Sequence, residues 1–592
     1  MDFARGNVRA RAREATRIGR REPFYKARVL ALLLVALLLA SVIWGRLFYW
    51  QVVEHKTLSA DAVGQYSAQI VLPAARGQVY DRDRLSLAID VTVYSVFVSP
   101  DQVPARKREH VAVALSSVLG KPVGEVMAIL ASQAKFAYIA RRQPKEIADK
   151  LKHLDLPGVG LEADQQRSYL PGGSANVSLA ANLLGFVNYE GRGQYGIEGY
   201  YNKTLSGQAG YMSTYRDMTG REIALGNTAK RDPVNGQDLV LTLDSSIQHT
   251  AEEALASGVQ ANHAESGTVL VMDTHTGGLV AWADYPAYNA NDFAHTAVGG
   301  FIDPAVSHLY EPGSVMKIVT LSGAIENHAI TPQTTIYDPG WIRVQGATLY
   351  DWDRANRGTV SYTKVLESSL NVGAVKAMQT EGKDAYYRNL VNFGFARQSG
   401  MDVAAESTEP LRALGDFRES ELSTTTYGQG IDVNPVQMLA AVNVVANGGR
   451  YAQPHVVDLI GGRPAPLAIA PQPQVISPDT AAQMTTMMKS VVQHGSGHET
   501  RIDGFQLDEA GKTGTSQMLV NGQYSLDVWS SYVGFMPASN PRFTMLVIVR
   551  KPHNATWILN DGYIVAAPLW KRIAQAIVLN WHIAPTPGIA PV

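Results

Sequence analysis

EPGSVMKIVT, residues 311–320, places a serine three positions ahead of a lysine, Ser314 and Lys317, at the head of an apolar run. Spacing alone says little, because a chain of this length holds on the order of one Ser-x-x-Lys by chance. This chain holds three, the others being Ser132–Lys135 and Ser361–Lys364. Their settings differ. Pro312-Gly313 reads as a turn and VMKIVTLSGAI as a buried helix. Ser314 therefore falls in a first helical turn, where free N–H groups and the positive dipole end favour developing negative charge. Lys317 follows one turn later on the same face. Its neighbours Met316, Ile318 and Val319 are apolar, so desolvation should lower the ammonium pKa and make a neutral lysine base accessible. A helix-capping serine beside a solvent-facing lysine has the same spacing. Ser361 reads as an ordinary N-cap, and Ser132–Lys135 sits among polar neighbours.

Two later stretches bear on the choice. ESSLNVG sets Ser369 and Asn371 two apart at the end of a helical segment, with Leu370 between them as an anchor. Ser-x-Asn is a weak signal, since Ser174 and Asn176 match it too. AGKTGTSQ, residues 510–517, holds the chain's single Lys-Thr-Gly, on a predicted strand. There Lys512 and Gly514 share one face and Thr513 and Thr515 the other. An interior strand glycine needs a reason, such as a second backbone lying over it, and a peptide substrate paired along the strand edge would be one.

The chain has 592 residues, too many for one ordinary core, and 46% of them are hydrophobic, which argues for globular domains. Lys+Arg number 52 against 53 Asp+Glu, a balance that gives no pointer to nucleic acid. Cysteine is absent, which excludes disulfides and thiolate metal sites. The 14 histidines show no metal spacing: His494 and His498 stand four apart, but across a glycine loop. No metal and no cofactor is expected.

Nine Lys/Arg fall within residues 1–28, followed by the uncharged VLALLLVALLLASVIWG at 29–45. That run spans roughly 26 Å as a helix, and Arg46 with LFYW extends it to residue 50. The basic flank predicts a cytoplasmic N-terminus with everything after residue 50 outside. Residues 51–235 mix short strands (YSAQIVLP, VYSVFVSP), a helical stretch near 105–152 and glycine-rich turns. From 235 the pattern predicts a strand (235–244), a helix capped at Asp244 or Ser245, and a hairpin turning at Thr276–Gly278. Three consecutive strands from residue 509 and a closing helix over 567–583 complete an antiparallel sheet flanked by helices, an α+β fold. The tail 584–592 is expected to be disordered.

Ser-x-x-Lys, Ser-x-Asn and Lys-Thr-Gly in that order are the motifs of the penicillin-binding and serine β-lactamase group. The chain resembles a class B penicillin-binding protein, a monofunctional peptidoglycan D,D-transpeptidase, of the septal, cell-division type. ARGQVYDRDRLSLA (75–88) and GQYGIEGYYNKTLSGQAG (193–210) resemble the family's membrane-proximal blocks, with Arg76, Asp81 and Glu198 in place. Leu370 stands where septal relatives often carry a small or polar residue. The resemblance implies a pedestal, or dimerisation domain, over 51–235 and a penicillin-binding transpeptidase domain over 236–583. It implies Ser314 as nucleophile, Lys317 as base, Ser369 and Lys512 as a proton relay, and Asn371 as holder of the acyl peptide's amide. Thr513 and Thr515 are implied for the substrate carboxylate, with Gly514 between them, and the N–H groups of Ser314 and Thr515 for the oxyanion. The implied partners are D-Ala-D-Ala stem peptides, β-lactams, the inner membrane, a polytopic glycan polymerase and other division proteins. An elongation-type transpeptidase, a D,D-carboxypeptidase and a β-lactam-binding sensor share these motifs.

Overall fold

The computed structural model describes residues 22–58, 67–173, 176–215, 229–503, 505 and 508–585. The chain forms two compact units. The smaller comprises Met1–Pro73 and Ala209–Val234, and the larger Ala74–Gln208 and Asn235–Val592. Within the smaller unit, a helix runs over Glu22–Phe48 and continues as a π turn, Tyr49–Val53. Tyr25–Val53 is long and apolar enough to cross a membrane. The Arg46 guanidinium lies 4.7 Å over the Trp50 ring, so the charge ending the apolar run is carried on an aromatic face. Strands Ser67–Leu72, Gly210–Tyr215 and Ala229–Arg231 form an antiparallel sheet in the same unit. The expected basic tail up to residue 21 and the expected disordered tail from residue 586 lie outside the described residues.

In the larger unit, a seven-stranded sheet joins strands from both sides of residue 235. Leu239–Leu241 pairs parallel with Val79–Tyr80 and antiparallel with Val457–Ile460. The strand expected over 235–244 is thus only three residues long. Its N-terminal flank is used otherwise: the side chains of Asn235 and Asp238 accept the N–H groups of Ala75 and Gln78. The helical stretch expected near 105–152 is also interrupted. Helices Arg108–Leu119, Val123–Ala131 and Lys145–His153 are split by a strand, Ala137–Gln143, on Ser86–Val98. The first helix stops at Gly120, which takes φ +69°, open to glycine at no steric cost.

The membrane-proximal sequence blocks meet in a buried ion-pair cluster. Glu198 accepts from Arg76 Nε at 2.9 Å and from Arg167 Nε at 2.7 Å, and Arg167 also reaches Asp90 at 3.1 Å. Asp81 accepts the Ser245 hydroxyl at 2.6 Å, tying the first block to the start of helix α1 (Ser245–Ala261). Asp244 caps α1 through the N–H groups of Ser246 and Ile247.

The second sheet has five antiparallel strands: β1 (Ser266–Asp273), β2 (Leu279–Tyr285), β3 (Ala510–Val520), β4 (Gln523–Met536) and β5 (Phe543–Arg550), in the order β2-β1-β5-β4-β3. The expected hairpin and three consecutive strands are all present. Alternation divides two cores between its faces. Val269, Val271, Met545 and Val547 pack with Trp570 on one side. Leu270, Met272, Leu546 and Ile548 join the larger cluster with Ile318 and Leu321 on the other. The closing helix, Gly562–Asn580, starts earlier than expected because Asp561 caps it through Tyr563 N–H, which leaves Pro568 inside.

Candidate active site

Gly313, at φ +60°, turns the chain into a 3-10 segment, Gly313–Met316, that continues as helix α2 (Lys317–Glu326). The Gly313 N–H donates to Gly428 O at 3.1 Å, pinning the turn to the loop around residue 428. Lys317 is fully buried, and its Nζ reaches four oxygens: Ser369 O at 2.7 Å, Asn371 Oδ1 at 2.8 Å, Ser314 Oγ at 2.9 Å and Ser369 Oγ at 3.3 Å. None is a carboxylate. Burial, and next the charge of Lys512, lower the Lys317 pKa well below that of a free lysine, while Asp351 opposes them. A neutral amine has two N–H bonds for the two shortest contacts, Ser369 O and Asn371 Oδ1, which leaves its lone pair available to the Ser314 hydroxyl.

The other two Ser-x-x-Lys pairs do not build a site. Ser361 caps its helix by accepting Lys364 N–H, and exposed Lys364 pairs with Glu367. Ser132 and Lys135 are both exposed. Of the competing Ser-x-Asn, Ser174 lies outside the described residues.

Ser369 takes φ +56°, a sparsely populated conformation for a residue with a Cβ, and Leu370 behind it is fully buried. The leucine anchors the loop as expected, while both neighbouring side chains turn to Lys317. Asn371 opens helix α3 (Asn371–Glu381), and its side-chain amide donates to Tyr350 O at 2.9 Å. Lys512 is fully buried on β3, with Nζ 3.0 Å from Ser369 Oγ. Burial pushes its pKa down to about 8, with Asp561 opposing.

The two threonines of β3 are held differently. Thr513 Oγ1 lies 2.7 Å from Ser496 Oγ and 3.4 Å from Lys512 Nζ, whereas Thr515 Oγ1 accepts Gly562 N–H at 3.1 Å. Gly514 does have a backbone over it, but one that belongs to this chain. A Cβ there would lie 2.5 Å from Ser531 Oγ, 2.8 Å from Val315 Cγ2 and 3.1 Å from Pro312 O. The glycine thus admits the turn that carries Ser314, and β3, an edge strand, keeps its outer side unpaired within the sheet. Three contributors were missed in the sequence: Ser496, Gly428 and Asp351, which accepts the Asn371 N–H at 2.5 Å. Each comes from a loop far away in sequence, and none carries a local pattern that distinguishes it.

The chain matches the family description "Penicillin binding protein transpeptidase domain" over residues 267–575 and "Penicillin-binding Protein dimerisation domain" over 71–241. It is 30% identical to Stage V sporulation protein D of Bacillus subtilis (strain 168), covering 93% of this chain and 85% of that protein. It is 26% identical to Peptidoglycan D,D-transpeptidase FtsI of Escherichia coli (strain K12), over 94% of this chain and 92% of that one. The crystal structure of a peptidoglycan synthetase from Bifidobacterium adolescentis superposes with a TM-score of 0.69 at 26% identity, covering 89% of this chain and 99% of the other. A half-buried serine on a buried lysine beside an edge strand, in an α+β domain matched along most of the chain, leads to one conclusion: this protein belongs to the penicillin-binding protein family, as a class B member of the FtsI type with a transpeptidase domain.

Proposed function

We propose that this chain crosslinks peptidoglycan stem peptides as a septal D,D-transpeptidase, through an acyl-enzyme on Ser314. The observation that carries this reading is a buried Lys317 whose Nζ lies 2.9 Å from Ser314 Oγ, with no carboxylate among its hydrogen-bond partners. Lys317 takes the Ser314 proton as Oγ bonds to the penultimate D-Ala carbonyl carbon. Lys512 and Ser369 pass a proton to the departing nitrogen, the C–N bond breaks, and D-Ala leaves. An acceptor amine then attacks the ester carbonyl, its proton passes through Ser369 to Lys512, and Lys317 returns its proton to Ser314 Oγ as the ester C–O bond breaks, restoring Ser314 and forming the crosslink. Asn371 holds the acyl peptide's amide, and Thr513 and Thr515 hold the carboxylate beside Gly514. The N–H groups of Ser314 and Thr515 stabilise the oxyanion, where loss of one donor typically costs about 3 kcal/mol. β-Lactams acylate the same serine.

The apolar N-terminal helix supports a single-pass anchor in the cell membrane, N-terminus inside and catalytic domain outside, with a basic tail over 1–28, a span over 29–50, a pedestal over 51–235 and a catalytic region over 236–583. The span and pedestal are the surfaces for a polytopic glycan polymerase and other division proteins. The test is fluorescent-penicillin labelling of wild type and Ser314→Ala, with the adduct mapped by mass spectrometry and the tagged protein located in dividing cells. An adduct on another residue ends this reading, and a tagged protein absent from the septum ends its septal part.

A further inference from the structure

Beneath Asn371 lies a buried pair of carboxyl groups that the chemistry above does not use. Asp351 Oδ1 accepts the N–H of Asn371 at 2.5 Å and of Val372 at 3.0 Å, closing the first turn of α3. Asp338 Oδ1 accepts Gly340 N–H at 2.8 Å, and Gly340 O in turn accepts Asp351 N–H at 3.1 Å. Asp338 and Asp351 are both buried. Their remaining oxygens, Oδ2 of each, find no donor among the described residues, yet the two carboxyls lie within hydrogen-bond reach of each other. Two buried carboxylates in contact repel strongly, and a single proton between them removes the repulsion and makes the missing hydrogen bond.

We propose that Asp338 and Asp351 share one proton and act together as a positioning unit for acylation: Asp351 fixes the backbone of Asn371, and the proton on Asp338 limits the negative charge that reaches Lys317. This rests on the roles given above to Ser314 and Lys317. The division within the pair follows from the donors. Asp351 already accepts two backbone N–H groups at a helix N-terminus, so it is the carboxylate and Asp338 the acid. Burial above all holds the Asp338 carboxyl up to about 6, with the Asp351 charge adding and the Gly340 N–H opposing. As pH rises through that value the proton is lost, the pair becomes doubly charged, and a second negative charge favours the ammonium form of Lys317. The other charged or titratable groups around the pair and Lys317 are Lys376 on α3, whose Nζ donates to Tyr337 O at 2.6 Å, Lys512, and the Tyr427 phenol. Arg357, whose N–H donates to Asp338 O, has its guanidinium paired with Asp353.

The test measures acylation of the full chain by fluorescent penicillin from pH 5 to 9. Asp338→Asn keeps a donor for Asp351 but cannot ionise. The inflection near pH 6 should vanish, and the rate at pH 8 should equal wild type or exceed it by up to about threefold. Asp338→Ala, which removes the donor, should acylate about tenfold more slowly. Asp351→Asn, which leaves Asp338 to titrate beside an amide donor and without the Asp351 charge, should move the inflection below pH 6, so a folding failure of either asparagine variant leaves the other to decide. Retention of the wild-type inflection in the folded asparagine variant overturns the proposal. So does an equal loss in Asp338→Asn and Asp338→Ala at every pH, the signature of a purely structural role. Ser314→Ala is measured alongside: label persisting there ends the reading of the site itself, whereas label lost there with an unaltered Asp338→Asn profile ends only the shared proton.

Discussion

Lys317 and Lys512 converge on one hydroxyl, with their Nζ atoms 3.3 and 3.0 Å from Ser369 Oγ. Both are fully buried, and two charged lysines in one dry cleft repel. The cleft therefore favours a single proton. It rests on Lys512, whose pKa is about 8, while burial and that charge hold Lys317 well below a free lysine, as its proposed role of base requires.

Replacing Lys317 with arginine should lower stability, because it puts a larger, permanent charge into a buried pocket without a carboxylate, and should slow acylation by about 10²–10⁴-fold in the protein that folds, because a guanidinium does not deprotonate. Stopped-flow acylation beside a thermal melt checks both halves. Near-normal rates in a folded Lys317→Arg would remove the lysine from the role.

The acylation rate should rise with pH as Lys317 loses its proton and fall again as pH climbs through about 8, where Lys512 loses the proton it supplies to Ser369. The stability contribution of Lys512 runs the other way. Its pKa is about 8 in the folded state against an ordinary 10.5, so the unfolded chain holds more protons between those values, and stability from this group rises with pH across that window. A rate profile flat to pH 10 would contradict the relay.

Ser314→Ala should abolish covalent labelling while Ser132→Ala and Ser361→Ala retain it, since neither of those serines has a buried lysine beside it. Gel fluorescence of the three variants at matched loading decides this.

Gly514→Ala should cost about 1–3 kcal/mol of stability and slow acylation. The added methyl meets Ser531 Oγ first, then Val315 and Pro312 O, so relief requires the Ser531 hydroxyl to turn aside and the Ser314 turn to move away from β3. Thermal unfolding read together with the acylation rate tests it, and a variant as stable and as fast as wild type would show that the close packing is unimportant.

Glu198→Gln should destabilise the larger unit by about 3–5 kcal/mol, because it leaves the buried guanidinium of Arg167 without its main countercharge. Denaturant unfolding measures the loss. Protein that remains folded should label at Ser314 at the wild-type rate, as the cluster touches no group of the cleft.

The local content of this protein was legible in its sequence. The turn before Ser314, the apolar helix after it, the capping roles of Asp244 and Ser361, the N-terminal apolar helix and the strands of the second sheet are all set by neighbours a few residues apart, where periodicity and capping chemistry act. The choice among three Ser-x-x-Lys pairs was also foreshadowed by apolar flanks, since burial is what lowers a lysine's pKa. Only the tertiary structure decided how Lys317 is used. Three of its four oxygen partners and its opposing lysine arrive from α3, the loop before it and β3, and no periodicity links such distant segments. The same holds for Gly514, kept small by the chain's own turn, and for Asp338 and Asp351, two ordinary acids in sequence whose shared burial makes one proton count. The short strand Leu239–Leu241 follows the same rule: its pairing partners lie far off in both directions, and the backbone N–H groups of Ala75 and Gln78 engage the side chains of Asn235 and Asp238 where the strand would otherwise begin.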